Sequence, residues 1–331
     1  MTATLTGAIR KRLTAPDIAE VSFAARGFDT SSTPARSQLE ASALQFIVGY
    51  EFGIEHKDFD GLVTRLDSLE REFRGFAYEG AVMALAVRDV MSPLRRPKLT
   101  ERFLAGPGYD SGPGSKHIFM AYIGLGFALA RLPKPMWQRA LPEQNKLADH
   151  ASLRLLIMDG YGFHMAFFHA RKWVHDQYVP RRTPWRGPAA YTNRAIDQGV
   201  GRAMWFVSGG NVDRLYDTIG KFAPARRSDL MSGAGLAAAY AGGVDADALK
   251  AFWDRAGQYQ PEIAQGAVFS MRARVVADLV TPANEMAAEV FCGCTAEQAS
   301  DIAAAEIIGL PEDGASPAYE VFRQRIQRHF T

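Results

Sequence analysis

The sequence predicts an all-α protein, a helical-repeat (α-solenoid-like) single domain of stacked helix pairs. Three observations carry this. Apolar residues recur at spacings of three and four along most of the chain, and no run of five or more residues alternates strictly between apolar and polar. The helical stretches are punctuated by proline- and glycine-rich connectors. A short Gly-x-Gly or Gly-x-Ala step returns at intervals close to the period of two-helix repeats.

Taken in order, residues 1–35 form an N-terminal extension and residues 36–331 the helical-repeat domain. Arg10, Lys11 and Arg12 are followed by no apolar stretch, so the beginning does not resemble a secretory signal. Ser37 suits the cap of a helix starting near Gln38, with Glu40 in its first turn. Further helices are expected at Phe59–Glu72 and Phe76–Val90, the latter stopped by Ser92-Pro93. The run from Gly106 to Gly114 holds four glycines and two prolines; without a Gly-Lys-Ser/Thr it lacks the phosphate-loop pattern and reads as a surface loop. A helix follows from Ile118 to Leu132. Helices come next around 150–158 and 162–176, with Asp159 as a cap at the glycine between them. Pro180 to Pro188 carries three arginines, a tryptophan and three prolines, and is the strongest loop signal in the chain. Beyond it helices are expected at 191–207, with Asp197 again a cap before a glycine, and at 211–221, 227–241, 245–256, 260–278, 283–291, 295–306 and 316–329.

The repeat is anchored on Gly75, Gly124, Gly160, Gly199 and Gly233, which lie 49, 36, 39 and 34 residues apart, with a weaker sixth copy at Gly266. The two-helix period is roughly 34–47 residues. Glycine inside a helix costs about 1 kcal/mol relative to alanine. Recurrent glycine in apolar helices therefore needs a reason, and close approach of neighbouring backbones supplies one.

Composition narrows the function classes. Lys plus Arg total 38 against 36 Asp plus Glu, so no bulk field selects nucleic acid. The longest apolar runs are shorter than the ~20 residues of a membrane span. Cys292 and Cys294 stand one residue apart, too close for an ordinary structural disulfide and without the second pair of a zinc site. They read as reduced thiols of a cytoplasmic protein, whose membrane association would run through partners.

Polar residues that break the repeat mark the candidate site. Position five of the aligned blocks holds Glu79, Ala128, His164, Ala203 and Ala237, and position four includes Arg202. Glu79, His164 and Arg202 stand where packing residues are the rule, and buried polar groups need partners. They are the candidate catalytic set. Tyr78, Tyr161, His169, His175 and Trp205 are the candidate ligand contacts. No metal site is expected: on one helix His164 and His175 share a face but lie roughly 16 Å apart, and His169 is off that face. Arg181, Arg182, Trp185 and Arg186 are the candidate partner-docking loop.

Several blocks resemble the signatures of the UnbL-like proteins, a domain-of-unknown-function family associated with enediyne polyketide biosynthesis. They are Arg74-Gly75-Phe76-Ala77-Tyr78-Glu79-Gly80-Ala81, Asp159-Gly160-Tyr161-Gly162-Phe163-His164 and Asp197-Gln198-Gly199-Val200-Gly201-Arg202. Ser232 through Gly243 and Pro317-Ala318-Tyr319-Glu320 complete the set, in order along nearly the whole chain. Met165-Ala166-Phe167 departs from it. The resemblance implies a role in natural-product maturation beside an UnbU-like integral membrane protein and an UnbV-like protein. It transfers no catalytic residue and no cofactor.

The leading expectation is therefore an accessory protein that binds an apolar intermediate, a partner, or both. The alternative is an enzyme acting on a polyene or other apolar intermediate through Glu79, His164 and Arg202. A third reading docks an acidic carrier or partner on the arginine loop.

Overall fold

The structure, a computed structural model, describes residues 18–92, 98–106, 111–143, 151–181, 183, 185, 189–314 and 316–331. The described residues are helical, with no strand among them. They are the stacked helix pairs that the sequence predicts.

Among the described residues, nine principal helices carry the architecture: α1 (Thr33–Glu55), α2 (Arg74–Met91), α3 (Ile118–Arg131), α4 (Leu156–Phe168), α5 (Ala189–Val207), α6 (Pro224–Ala241), α7 (Gln260–Val276), α8 (Ala296–Glu306) and α9 (Ala318–Gln327). Contacts group them into two units. One holds Ala41–Tyr161 with the described residues up to Val21, and the other holds Ser22–Glu40 with Gly162–Thr331. The divisions fall inside α1 and α4.

The first unit is built on the glycines of its long helices. A side chain at Gly49 of α1 would collide with the backbone of Ala77 in α2, and one at Gly80 of α2 with the carbonyl oxygen of Phe46 in α1. In α3 the two glycines face opposite ways. Gly124 lies on the Glu79 carbonyl of α2, and Gly126 lies on Ile157 and Tyr161 of α4. Positions i and i+2 of a helix are about 200° apart. Gly-x-Gly thus clears opposite sides of one helix, as a helix pressed between two neighbours requires. Phe46 meets Phe127 at 4.8 Å between ring centroids, within the apolar filling around these crossings.

The second unit repeats the device. Gly162 of α4 lies on Ile196 of α5, and Gly201 of α5 on Leu230 of α6. Gly233 of α6 faces back onto the Gln198 carbonyl of α5, while Gly235 faces forward onto Ile263 of α7. Gly266 of α7 faces back onto Ser232. Helices α5, α6 and α7 are each followed by a shorter return helix: Val212–Ile219, Ala246–Ala256 and Pro282–Cys292. These begin where the sequence signals them. Asn211, Asp245 and Thr281 each accept the backbone N–H three residues on. Long helix packs on long helix and short on short, and α9 packs on α7 and α8.

Several expectations need correcting. The helix expected at Gln38 begins at Thr33, so Ser37 is interior; Glu40 instead accepts the Phe23 N–H at 2.7 Å. Asp159 and Asp197 are not caps, because α4 and α5 run unbroken through them and through the glycines that follow. Gly160 serves approach rather than termination, lying on the backbone of Ile123 in α3. The second predicted segment, 162–176, leaves the α-helix at Phe168 and forms a π-helical turn at Arg171–His175. In the glycine-rich loop, Pro107 to Asp110 lie outside the described residues. Gly112 and Gly114 are buried against Phe103 rather than displayed on a surface.

Candidate functional site

Glu79 is buried within α2 of the first unit. His164 (α4) and Arg202 (α5) are buried in the second unit. The His164 ring lies 4.6 Å from that of Phe168, and the Arg202 guanidinium stands 5.1 Å over the ring of Phe163.

Tyr78 belongs to the packing of the first unit. Its hydroxyl donates to Asp67 Oδ1 at 3.0 Å, and its ring stacks on His117 at 3.5 Å. Tyr161 packs edge-on to Trp137. Trp205 has no exposed surface in its unit; its indole N–H donates to the Gly242 carbonyl at 3.0 Å and its ring stacks on Phe252.

His117, which sequence reading passed over, is the titratable group with the clearest consequence. Burial first, then the charges of Arg74 and Lys116, lower its pKa from 6.5 to about 3. Between these values the unfolded chain binds a proton that the folded chain refuses. Stability from this group is complete above about pH 6.5 and falls as the pH drops toward 3, by at most ~1.4 kcal/mol per pH unit. Urea unfolding of the wild type and of His117→Phe at about pH 7.5 and about pH 5 checks this. The acid-induced loss is expected to shrink in the variant; an identical loss in both would assign it elsewhere.

A second polar assembly in the second unit was not legible in advance. Arg323 of α9, with a side chain 1% exposed, pairs with Asp229 of α6 at 2.6 Å and donates to Gln265 of α7 at 3.0 Å. Arg194 of α5 reaches the same Asp229 with two hydrogen bonds and Glu320 at 3.0 Å. The Tyr191 hydroxyl donates to Glu320 Oε2 at 2.6 Å. Two arginines and two carboxylates are thus balanced among α5, α6 and α9, and this cluster fixes the C-terminal helix.

One exposed basic cluster of the second unit lies beyond the end of α4. His169, Arg171, Lys172, His175 and Arg181 are exposed. Arg26 donates to the Phe168 carbonyl at 3.0 Å and stands 4.7 Å over its ring. Arg26, His169, Arg171 and Lys172 bound a recess of about 410 Å³, with Phe167 and Phe168 in its wall and Asp176 as its carboxylate; Arg181 is not part of it. His175 lies outside this lining. Its backbone is irregular: the π-helical turn is followed by Gln177 at φ 54°, a left-handed conformation that non-glycine residues seldom adopt. Arg226 accounts for that conformation. It donates to the Gln177 carbonyl at 2.8 Å while pairing with both oxygens of Asp197. Tyr178 and Val179 are 36% and 47% exposed beside the cations. Trp185 is half-buried; Arg182 and Arg186 lie outside the described residues.

Among the described residues, no cluster of three or more His, Cys, Asp or Glu side chains is placed to hold a metal ion. Cys292 and Cys294 are free thiols. A hydrogen bond between them lowers the Cys294 thiol to about 7 and raises that of Cys292, which burial raises further. No helix among the described residues is long and apolar enough to cross a membrane.

Fold and site together define an all-α protein of stacked helix pairs with a buried polar clamp and a cationic, aromatic-walled recess. Residues 5–330 match the family model described as "Protein of unknown function (DUF1702)", and the chain belongs to that family. No curated protein and no solved structure matches it.

Proposed function

We propose that the chain is an accessory protein of natural-product biosynthesis, of the enediyne polyketide type. It works in an assembly with an UnbU-like membrane protein and an UnbV-like protein, and binds an apolar intermediate. The observation that carries this reading is the surface beyond α4, where Arg171, Lys172, His175 and Arg181 lie exposed beside Tyr178 and Val179. Arginine and aromatic side chains together favour docking, and the positive charges select an acidic partner. The UnbL-like sequence blocks supply the identity of the partners.

Co-purification from a host expressing all three proteins tests the reading. The chain is expected to be retained with its partners under mild detergent. Changing Arg171, Lys172 and Arg181 to glutamate should lower the retained fraction at least about tenfold, since like charges in an interface cost several kcal/mol. Undiminished retention of the charge-reversed chain would remove the docking surface, and no association of the wild type would remove the assembly. The competing enzymatic reading, through Glu79, His164 and Arg202, predicts loss of product on alanine substitution at those positions in the reconstituted pathway. The accessory reading predicts that product persists wherever the variant folds.

A further inference from the structure

The recess beyond α4 has more definition than a docking surface needs. Its volume, about 410 Å³, falls within the roughly 300–1,000 Å³ typical of small-molecule sites. Arg26, His169, Arg171 and Lys172 line it against a single carboxylate, Asp176. Phe168 offers an aromatic wall that is only partly covered.

The cations have a simpler use to be weighed first. The end of a helix carries partial negative charge, and basic side chains there stabilise it. Arg26 serves that use directly, through its bond to the Phe168 carbonyl. Lys172 lies over the ring of Tyr178, its ammonium 4.0 Å from the centroid. Arg171 and His169 are different: neither side chain makes a hydrogen bond among the described residues, and both line the recess. The backbone that presents Arg171 and Lys172 is held in a π-helical turn, beside a left-handed residue braced by Arg226 and Asp197. Unusual backbone held by a dedicated ion pair is a recurrent mark of functional sites.

We propose that this recess binds a small organic anion: a carboxylate or phosphate on an aromatic or alkyl body, the anion meeting Arg171 and His169 and the body lying on Phe168. This rests on the ligand-binding half of the function proposed above, narrows its intermediate to an apolar body carrying one anionic group, and needs neither partner protein. Binding would reverse the electrostatic setting of His169. Partial burial, then the charges of Arg26 and Lys172, hold its pKa below the ordinary value. A bound anion offsets those charges and raises it.

The test is titration of the full chain with phenylacetate, phenyl phosphate, inorganic phosphate and benzyl alcohol, read by calorimetry and by the His169 ring signals in NMR. At least one of the two aromatic anions is expected to bind and to raise the His169 pKa. Whichever binds more tightly identifies carboxylate or phosphate as the head group. Benzyl alcohol should leave the His169 pKa unchanged. Arg171→Gln, an exposed change, should weaken binding at least about fivefold, and His169→Gln should weaken it while leaving the fold intact by circular dichroism.

Failure of both aromatic anions to move His169 would overturn the proposal, as would equal binding in Arg171→Gln. Inorganic phosphate binding as tightly as phenyl phosphate would overturn the organic body and leave only a patch for simple anions. A negative result in these titrations with partner co-purification intact would discard the ligand site and keep the assembly.

Discussion

Asp229→Ala is expected to cost about 3–5 kcal/mol of stability, the range for leaving one member of a buried ion pair uncompensated. The reason lies in what the carboxylate holds. Arg323 is 1% exposed at its side chain and meets Asp229 at 2.6 Å, and Arg194 donates to both oxygens of the same group. Truncation strands the Arg323 guanidinium among α5, α6 and α9 with Glu320 as its remaining anion, 3.5 Å away. Arg194 suffers less, since its side chain is 38% exposed and water can replace the lost bonds. Urea unfolding gives the loss, and the cycle completed by Arg323→Met and the double variant gives the coupling. The double variant is expected to be more stable than Asp229→Ala alone, because removing the second charge relieves the uncompensated one. A single-variant loss below about 1 kcal/mol would mean that the cluster does not hold α9 as described.

Gly233→Ala is the second large effect. A methyl group there would meet the Gln198 carbonyl oxygen and the Arg202 amide nitrogen of α5, the former well inside the 3.0 Å that real side chains respect. Both obstacles are backbone, so no rotamer change can make room. Helices α5 and α6 must separate, and overpacking of this kind costs ~1–3 kcal/mol or more. Gly314→Ala is the control, with open space around the glycine, and is expected to change stability by less than about 0.5 kcal/mol.

The sequence disclosed the part of the fold governed by local pattern. Gly-x-Gly could be read because the two positions of one motif clear two neighbours, so packing on both sides leaves a short, contiguous mark. The starts of the return helices and of α8 could be read because Asn211, Asp245, Thr281 and Thr295 cap through bonds three residues long. Asp159 and Asp197 misled for the same local reason. An acid before a glycine looks like a helix start, but tertiary contact keeps the helix running, and Asp197 is spent on Arg226.

The polar clamp could not be read at all. Arg323 and Asp229 are 94 residues apart in the chain, and isolated charges in amphipathic helices ordinarily face water. The recess was half legible: His169 was a candidate, whereas Arg171 and Lys172 were not, and the arginine-rich stretch that follows does not line it. Arg26 arrives from a segment assigned to the N-terminal extension, and nothing local ties it to Phe168.

Glycine at these helix crossings is required by the close approach of neighbouring backbones. The most direct test of this requirement is the sign of the Gly→Ala effect at Gly124, Gly126, Gly162, Gly201, Gly233, Gly235 and Gly266, measured by urea unfolding. Helix propensity alone favours alanine by about 1 kcal/mol at every such position. Close backbone approach gives the opposite sign, with every alanine destabilising. Alanine variants as stable as the wild type, or more stable, would contradict it.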